Sequence, residues 1–528
     1  MRSFHFPGRS PVIGTRAMCA TSHPLASLAA IEMLRKGGNA IDAALTATAV
    51  MCVVEPAMTG IGGDCFAIIA KPGQKPIAFN ASGKAPKAAT PEWYAKAGIK
   101  QIETQTPHSV TVPGAIDGWS RLLADHGTKT FADILAPAIG YAEKGWAVQP
   151  RVAFDWASLE SKIRNNDGAK LHLLKDGRVP KAGEIMRSPA LARTMRIIAE
   201  KGRDGFYTGE VAEDIVAELR ALGGIQTVED FANQSCAYVD PISVSYKGAE
   251  ILELPPNNQG IVALVMLKML ERFGKLGDGP VSVERYHVMM EAVRLAYKMR
   301  DTFVADPVMA DVPVTHMLSD AFADELASRI DRKTRKSDLG PIPKPGGSDT
   351  IYMTVVDEAG MAVSFINSIY SGFGSGIVTK KTGIVLQNRG QGFVLDPKHP
   401  NCIAPGKRPM HTLVPALAMR NGLPWATFGV MGGNLQPAGH AYVMQNMLEY
   451  GLDPQEAIDC PRVFFENGVC WAEESVPQSV YEGLAALGHP MQRKPDPWGG
   501  GQMVVMDRDN GVLIGASDPR KDGMALGY

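Results

Sequence analysis

The sequence predicts an α+β fold with helices packed on sheet layers. Three observations carry that prediction. Helical apolar periods crowd the chain up to about residue 335, β-prone runs crowd the part after it, and the basic, Pro/Gly-rich stretch Lys333–Ser348 separates the two. Residues 24–36 (PLASLAAIEMLRK) place Leu28, Ile31 and Leu34 on one helical face, and Gly37-Gly38 stops that helix. Asn39 is placed to cap the next one, AIDAALTATAVMCVV, whose small apolar residues predict burial. TGIGGD (59–64) then reads as a tight turn. Further helices are expected over 132–146, 188–222, 261–273 and 282–302, with strands near 65–70 and 243–254. After the Pro/Gly-rich stretch, Thr350–Val356 and Met361–Asn367 flank a four-residue turn and predict a β-hairpin. Pairing Val356 with Met361 sets Thr350 opposite Asn367 and beside Ser368. More strands are expected at 383–387, 425–430, 502–506 and 512–515.

Composition narrows the function classes. The 528 residues carry 54 Lys plus Arg against 55 Asp plus Glu, a formal charge of −1, so a dedicated nucleic-acid binder or polybasic membrane binder is disfavoured. Mean hydropathy is −0.06, and no apolar run reaches the roughly 18 residues that span a bilayer. Length alone suggests three or four domains, although layered α/β enzymes often keep one core. The seven cysteines (19, 52, 65, 236, 402, 460 and 470) form no CxxC, which argues against a disulfide scaffold or a thiolate zinc site. The first residues hold no apolar signal region, so the expected compartment is the cytoplasm.

The candidate chemistry begins at Thr350. Thr opens many strands simply because it is β-prone. A cut before Thr350 would free an α-amine with an ordinary pKa of about 7.7–8. That amine could take the proton of its own hydroxyl, placing nucleophile and base on one residue. Ser368, across the hairpin, is in reach of either group. A second candidate is the glycine pair in Val430-Met431-Gly432-Gly433-Asn434, which is either a plain turn or a pair of backbone donors for an oxyanion. TGIGGD matches neither a dinucleotide nor a P-loop spacing. His411 is a lone histidine and reads by itself as core packing.

SHPLAS (22–27), GGNAIDAA (37–44), VVEP (53–56), GIGGD (60–64), VPGAIDGW (112–119), GGIQTVEDF (223–231), the hairpin from Thr350, FGSGIV (373–378), PGKRP (405–409), Gly432-Gly433 and ASDPR (516–520) occur in one order along the chain. In that series the chain resembles the γ-glutamyltransferase family of N-terminal nucleophile hydrolases. The resemblance implies a four-layer αββα sandwich and a precursor that cuts itself between Asp349 and Thr350. The products would be a large piece, 1–349, and a small piece holding the remaining 179 of the 528 residues, 350–528, joined in one integrated domain. It implies that Thr350 then forms an acyl-enzyme, that Gly432 and Gly433 make the oxyanion hole, and that Ser368 stands where the family has a Thr contacting the nucleophile's amine.

The chain also departs from the family pattern. Glutamyl-specific members grip the substrate α-carboxylate with an Arg in an FREMAP-like segment, and here residues 79–86 read FNASGKAP. They grip the α-ammonium with an acid in an NNQxDDF-like segment, and here QNRGQGF (387–393) puts Gly392 in its place. Their paired Ser becomes His411-Thr412, and an Asn near the nucleophile becomes Tyr370. Without an anionic partner, a buried ammonium would be costly. Arg389, where the family has Gln, adds a fork suited to a carboxylate. Its alternative is a structural ion pair. Lys84 is a second carboxylate candidate, whose alternative is a solvated surface position.

This set resembles the family's amidohydrolase and acylase branch, which includes an oxamate amidohydrolase. The expected activity is hydrolysis of a small, carboxylate-bearing amide with Thr350, Ser368, Gly432 and Gly433 as machinery. Arg389, Tyr370, His411, Thr412 and Lys84 are the expected substrate contacts, and the mechanism needs no cofactor or metal. The competing readings are a γ-glutamyltransferase or glutathione hydrolase with altered donor recognition, and a processed but idle scaffold or binding protein. The expected partners are the amide substrate and the two pieces of one precursor, without nucleic acid or membrane. A homo-oligomer of the processed unit stays open.

Overall fold

The computed structural model describes residues 5, 8–337, 350–496 and 498–528. Asp349 and residues 338–348 of the Pro/Gly-rich stretch lie outside the described residues. Two seven-stranded sheets form the centre. One runs Val12–Gly14, Val512–Ser517, Gly500–Asp507, Leu423–Met431, Ala416–Arg420, Ala249–Glu253 and Ile242–Tyr246. The other runs Met524–Gly527, Met18–Thr21, Ile351–Val356, Ala362–Ser368, Asp64–Ala70, Ile77–Ala81 and Ala237–Val239. Each sheet takes strands from both sides of residues 338–349.

Three apolar layers account for a four-layer αββα order. Tyr352 and Ile366 point between the sheets and meet Leu252, Leu417 and Val504. Their strand neighbours Met353 and Phe365 point the other way, as the two-residue period of a strand requires, and pack under the first helical layer. That layer includes Pro24–Arg35, Ala40–Val54 and Phe131–Lys144. On the far side, Ala426, Phe428 and Val430 pack against Gly260–Glu271, Val283–Phe303 and Leu435–Leu448.

Local signals explain the helices near the site. His23 accepts from the Leu25 N–H and Pro24 opens the first helix. Asn39 and Asp42 form a reciprocal capping box, with Asn39 Oδ1 accepting from Asp42 N at 3.1 Å and Asp42 Oδ2 from Asn39 N at 2.9 Å. All 15 residues of Ala40–Val54 are buried, which explains why the helix is apolar all round.

The hairpin forms, with its register one residue from expectation. Val356 pairs with Ala362 and Ile351 with Asn367, so Thr350 faces Ser368 rather than Asn367. The turn is five residues long: Asp357 Oδ1 accepts from Met361 N at 3.0 Å, Asp357 N donates to Met361 O at 3.1 Å, and Gly360 takes a φ of 80°. One added turn residue exchanges every cross-strand partner. Residues 243–254 form two strands, split where Lys247 and Gly248 take φ values of 48° and 80°. Residues 383–387 form no strand; Val385 and Leu386 make only isolated bridges to Val378 and Gly62.

Candidate active site

Thr350 sits where the strand Ile351–Val356 begins and is 1% exposed. Its Oγ1 donates to Ser368 Oγ at 3.3 Å and accepts from Gln436 Nε2 at 3.4 Å. Ser368 Oγ in turn accepts from the backbone N–H of Tyr370 at 2.8 Å. The strand Leu423–Met431 delivers the glycine pair, and the helix Leu435–Leu448 follows at once. Gly432 and Gly433 take φ values of 118° and 55°, which only glycine adopts without strain. Among the described residues their N–H groups donate to no acceptor, while their carbonyls accept from Leu435 N at 3.0 Å and Gln436 N at 3.3 Å. Two unused donors at a helix N-terminus suit a developing negative charge. Gln436 touches both Thr350 and the glycine turn. It went unnoticed in the sequence, where GGNLQP offered only its nearness to the pair.

Arg389 opens the short 3-10 turn Arg389–Gly392 and is fully buried. Its Nη1 donates to Thr412 Oγ1 at 2.7 Å, and its guanidinium lies 4.1 Å from the centre of the Tyr370 ring. Nε and Nη2 have no hydrogen-bond partner among the described residues. The guanidinium therefore offers one complete edge, the side that accepts a carboxylate through two parallel hydrogen bonds. Burial pulls its pKa down to about 10, with Tyr370 and Asp64 opposing, so it stays charged at neutral pH. The structural ion pair considered for Arg389 does not form among the described residues.

Tyr370 holds a bulky side chain at a φ of 83°, a region such residues rarely occupy. Besides stacking on Arg389, it lines a cleft of about 420 Å³ together with Arg300, Asp301, Gly392, Phe393, Met410 and Asn434. Gly392 thus borders the cleft with no charge to offer.

His411 is fully buried and donates from Nε2 to Asp64 Oδ2 at 3.0 Å, while its Nδ1 accepts from Leu413 N at 3.3 Å. Burial, reinforced by the nearby Arg389 charge, pushes its pKa down to about 3. It is a neutral brace for the 409–413 segment. Asp64 is the other half of that brace. Its Oδ1 accepts from Gly83 N, Gly114 N and Gln387 Nε2 at 2.9, 2.9 and 3.0 Å. TGIGGD therefore ends in a buried carboxylate that organises four segments, a role its spacing did not reveal. Lys84 lies apart from this group. Its ammonium donates to Ser235 Oγ at 2.7 Å and makes no hydrogen bond or ion pair to the residues around Arg389.

The structure brings together Thr350, Ser368, Gly432, Gly433, Arg389, Tyr370, His411 and Thr412, and leaves out Lys84; Asp349 lies outside the described residues. A four-layer sandwich with a threonine at the head of a central strand, beside a free pair of glycine donors, is the arrangement of an N-terminal nucleophile hydrolase. The chain belongs to the gamma-glutamyltranspeptidase family, whose family model matches residues 26–528. It is 37% identical to an oxamate amidohydrolase proenzyme of Klebsiella pneumoniae, over 98% of this chain and 99% of that protein. It is 36% identical to a glutathione hydrolase-like YwrD proenzyme of Bacillus subtilis, again over 98% and 99%. A crystal structure of cephalosporin acylase from Bacillus halodurans superimposes with a TM-score of 0.92 at 38% identity, covering 100% of this chain and 99% of that one. No helix among the described residues is long and apolar enough to cross a membrane.

Proposed function

We propose that the chain is a self-cleaving amidohydrolase that acts through Thr350 on a small, carboxylate-bearing amide of the oxamate type. In the precursor, the Thr350 hydroxyl adds to the carbonyl of Asp349. The peptide nitrogen leaves, the acyl group moves from N to O, and water opens the ester. This gives pieces 1–349 and 350–528 and frees the Thr350 amine. The amine then takes the hydroxyl proton as Oγ1 attacks the substrate carbonyl. Gly432 and Gly433 N–H groups stabilise the oxyanion, the proton passes to the departing amine, and water releases the acid from the acyl-enzyme. Arg389 holds the substrate carboxylate on its Nε/Nη2 edge, with Thr412 and Tyr370 fixing the plane of the guanidinium.

The observation that carries this reading is that Gln436 joins the Thr350 hydroxyl, already paired with Ser368, to the turn whose donors are unused. The proenzyme names of the relatives support the cut. Intact mass under denaturing conditions tests it: wild type should give two pieces meeting at Asp349/Thr350, and Thr350→Ala one. A wild type that stays whole would end the reading and favour an idle scaffold.

A second reading, a glutamyl donor with altered recognition, has one observation in its favour. Asp301 lines the cleft, pairs through Oδ1 with Arg300 at 2.7 Å, and keeps a buried Oδ2 without a hydrogen-bond partner among the described residues. It could receive an α-ammonium in place of residue 392. Turnover of γ-glutamyl 4-nitroanilide against its des-amino counterpart, glutaryl 4-nitroanilide, separates the readings: an amidohydrolase of the proposed kind prefers the second.

A further inference from the structure

Gln259 stands just before the helix Gly260–Glu271 and is fully buried. Its Nε2 donates to Thr412 O at 3.0 Å and to Gly433 O at 2.9 Å. Its Oε1 accepts from Arg300 Nη1 at 2.8 Å, and its backbone N–H donates to His411 O at 2.9 Å. Both amide hydrogens are therefore used, and the acceptor is engaged by a cation. The two carbonyls it holds belong to opposite ends of the site. Thr412 is the residue whose hydroxyl receives Arg389, and Gly433 is half of the glycine turn. Arg300 tightens the same end of the bridge, since its Nη1 also reaches Asn434 Oδ1 at 2.7 Å.

We infer that Gln259 is a positioning residue that sets the span between the carboxylate grip and the oxyanion donors. This rests on the roles proposed above for Arg389 and the glycine pair. A substrate that presents a carboxylate and a scissile carbonyl a fixed number of bonds apart can use both ends only if their separation is held. Neither end holds it alone. The glycine turn is conformationally permissive, and the 409–412 segment belongs to neither sheet. Among the described residues, the Gln259 side chain bonds to both the Thr412 and the Gly433 carbonyl. Its contribution should therefore be felt by substrates that engage Arg389 and largely lost once that grip is gone.

A double-mutant cycle reads this directly. Kinetics on N-(4-nitrophenyl)oxamate are measured for wild type, Gln259→Met, Arg389→Met and the double variant, normalised to the cut fraction found by intact mass. Gln259→Met alone should lower kcat/KM about thirtyfold, the scale of two lost hydrogen bonds to buried carbonyls. In the Arg389→Met background the same change should cost less than about threefold. Gln259→Glu keeps the shape and the acceptor for Arg300 but loses the donors, so it serves should the Met variant fold poorly, and it should show the same contraction. A merely structural Gln259 would lower Tm and kcat/KM by the same factors in both backgrounds. Effects that multiply, or a Gln259→Glu enzyme as active as wild type, would overturn the inference while leaving the proposed function standing. An uncut wild type, or a cut one that turns over neither this oxamate nor glutaryl 4-nitroanilide, would overturn the function itself and the inference with it.

Discussion

Thr350 and Ser368 face each other from the ends of paired strands, whereas Arg389, His411 and Thr412 stand on backbone that joins neither sheet. The first pair is placed by register: once Ile351 pairs with Asn367, the residue before one faces the residue after the other. The second group is placed by isolated backbone bonds, such as His411 N to Asn257 O at 2.8 Å, together with side-chain contacts from Asp64, Gln259 and Tyr370. The difference teaches how one family can keep its chemistry while changing its substrates. A change at 389 or 392 alters a loop tied by a few backbone bonds and by side chains, but a change in the hairpin shifts a whole ladder. Most of the departures from the family pattern, at 389, 392, 411 and 412, fall on such backbone, while the hairpin carries only the exchange of Thr for Ser at 368.

The largest expected effect breaks the nucleophile end alone. Thr350→Ala should remain one uncut chain and lose turnover to the limit of detection, read by intact mass and by release of 4-nitroaniline. Next, Arg389→Met should leave the cut intact and lower kcat/KM for carboxylate-bearing amides about a hundredfold, mainly through KM, since two charge-assisted hydrogen bonds disappear. Failure of that split, with cutting lost as well, would show that the two ends are not separable. A finer probe is Tyr370. Its hydroxyl has no hydrogen-bond partner among the described residues, so Tyr370→Phe should change kcat/KM less than twofold. Tyr370→Leu removes the stacked ring and should raise KM about fivefold, the scale of a buried cation–π contact.

The smallest effect concerns stability. Burial holds His23, His411 and His489 neutral, each pushed from an ordinary 6.5 down to about 3. In the unfolded chain they take up protons near 6.5, so the stability they confer is complete above that value and drains as pH falls toward 3. Glu55 acts in the opposite sense: burial raises it from 4.5 to about 7, and its contribution is lost as pH rises across that window. Asp459, raised by burial from 3.8 to about 6, joins Glu55, and the three histidines outweigh the pair, so the urea midpoint should fall between pH 7 and pH 4. A His411→Gln chain should show a shallower fall than wild type.

Much of the fold could be read because its signals were local. The Asn39–Asp42 box, the glycine stop after residue 36 and the β-prone runs around 357–361 each act within a few residues. Met18–Thr21, Ile77–Ala81 and Ala416–Arg420 were missed because strands of four or five residues, buried on both faces, leave no alternating pattern. The register slipped because a side-chain bond from Asp357 lengthened the turn. In the site, Thr350, Ser368 and the glycines were marked by motif and by resemblance. Asp64, Gln259 and Gln436 were not, because each acts on residues far away in the chain, as Asp64 does on His411 and Gln259 on Gly433. Where Lys84 turns could not be read either, because a position in a motif does not fix the direction of a long side chain, which here reaches Ser235.

The strand Ile351–Val356 is hydrogen-bonded to Met18–Thr21 on one side and to Ala362–Ser368 on the other. A cut before Thr350 would leave both of these ladders in place, because they are made by residues from Ile351 onward. The cost would surface only after denaturation. An intact precursor refolds as a single chain at a rate independent of dilution. A cut molecule must first find its missing piece, so its recovery should slow with dilution, and at low concentration its unfolding should be in practice a one-way event.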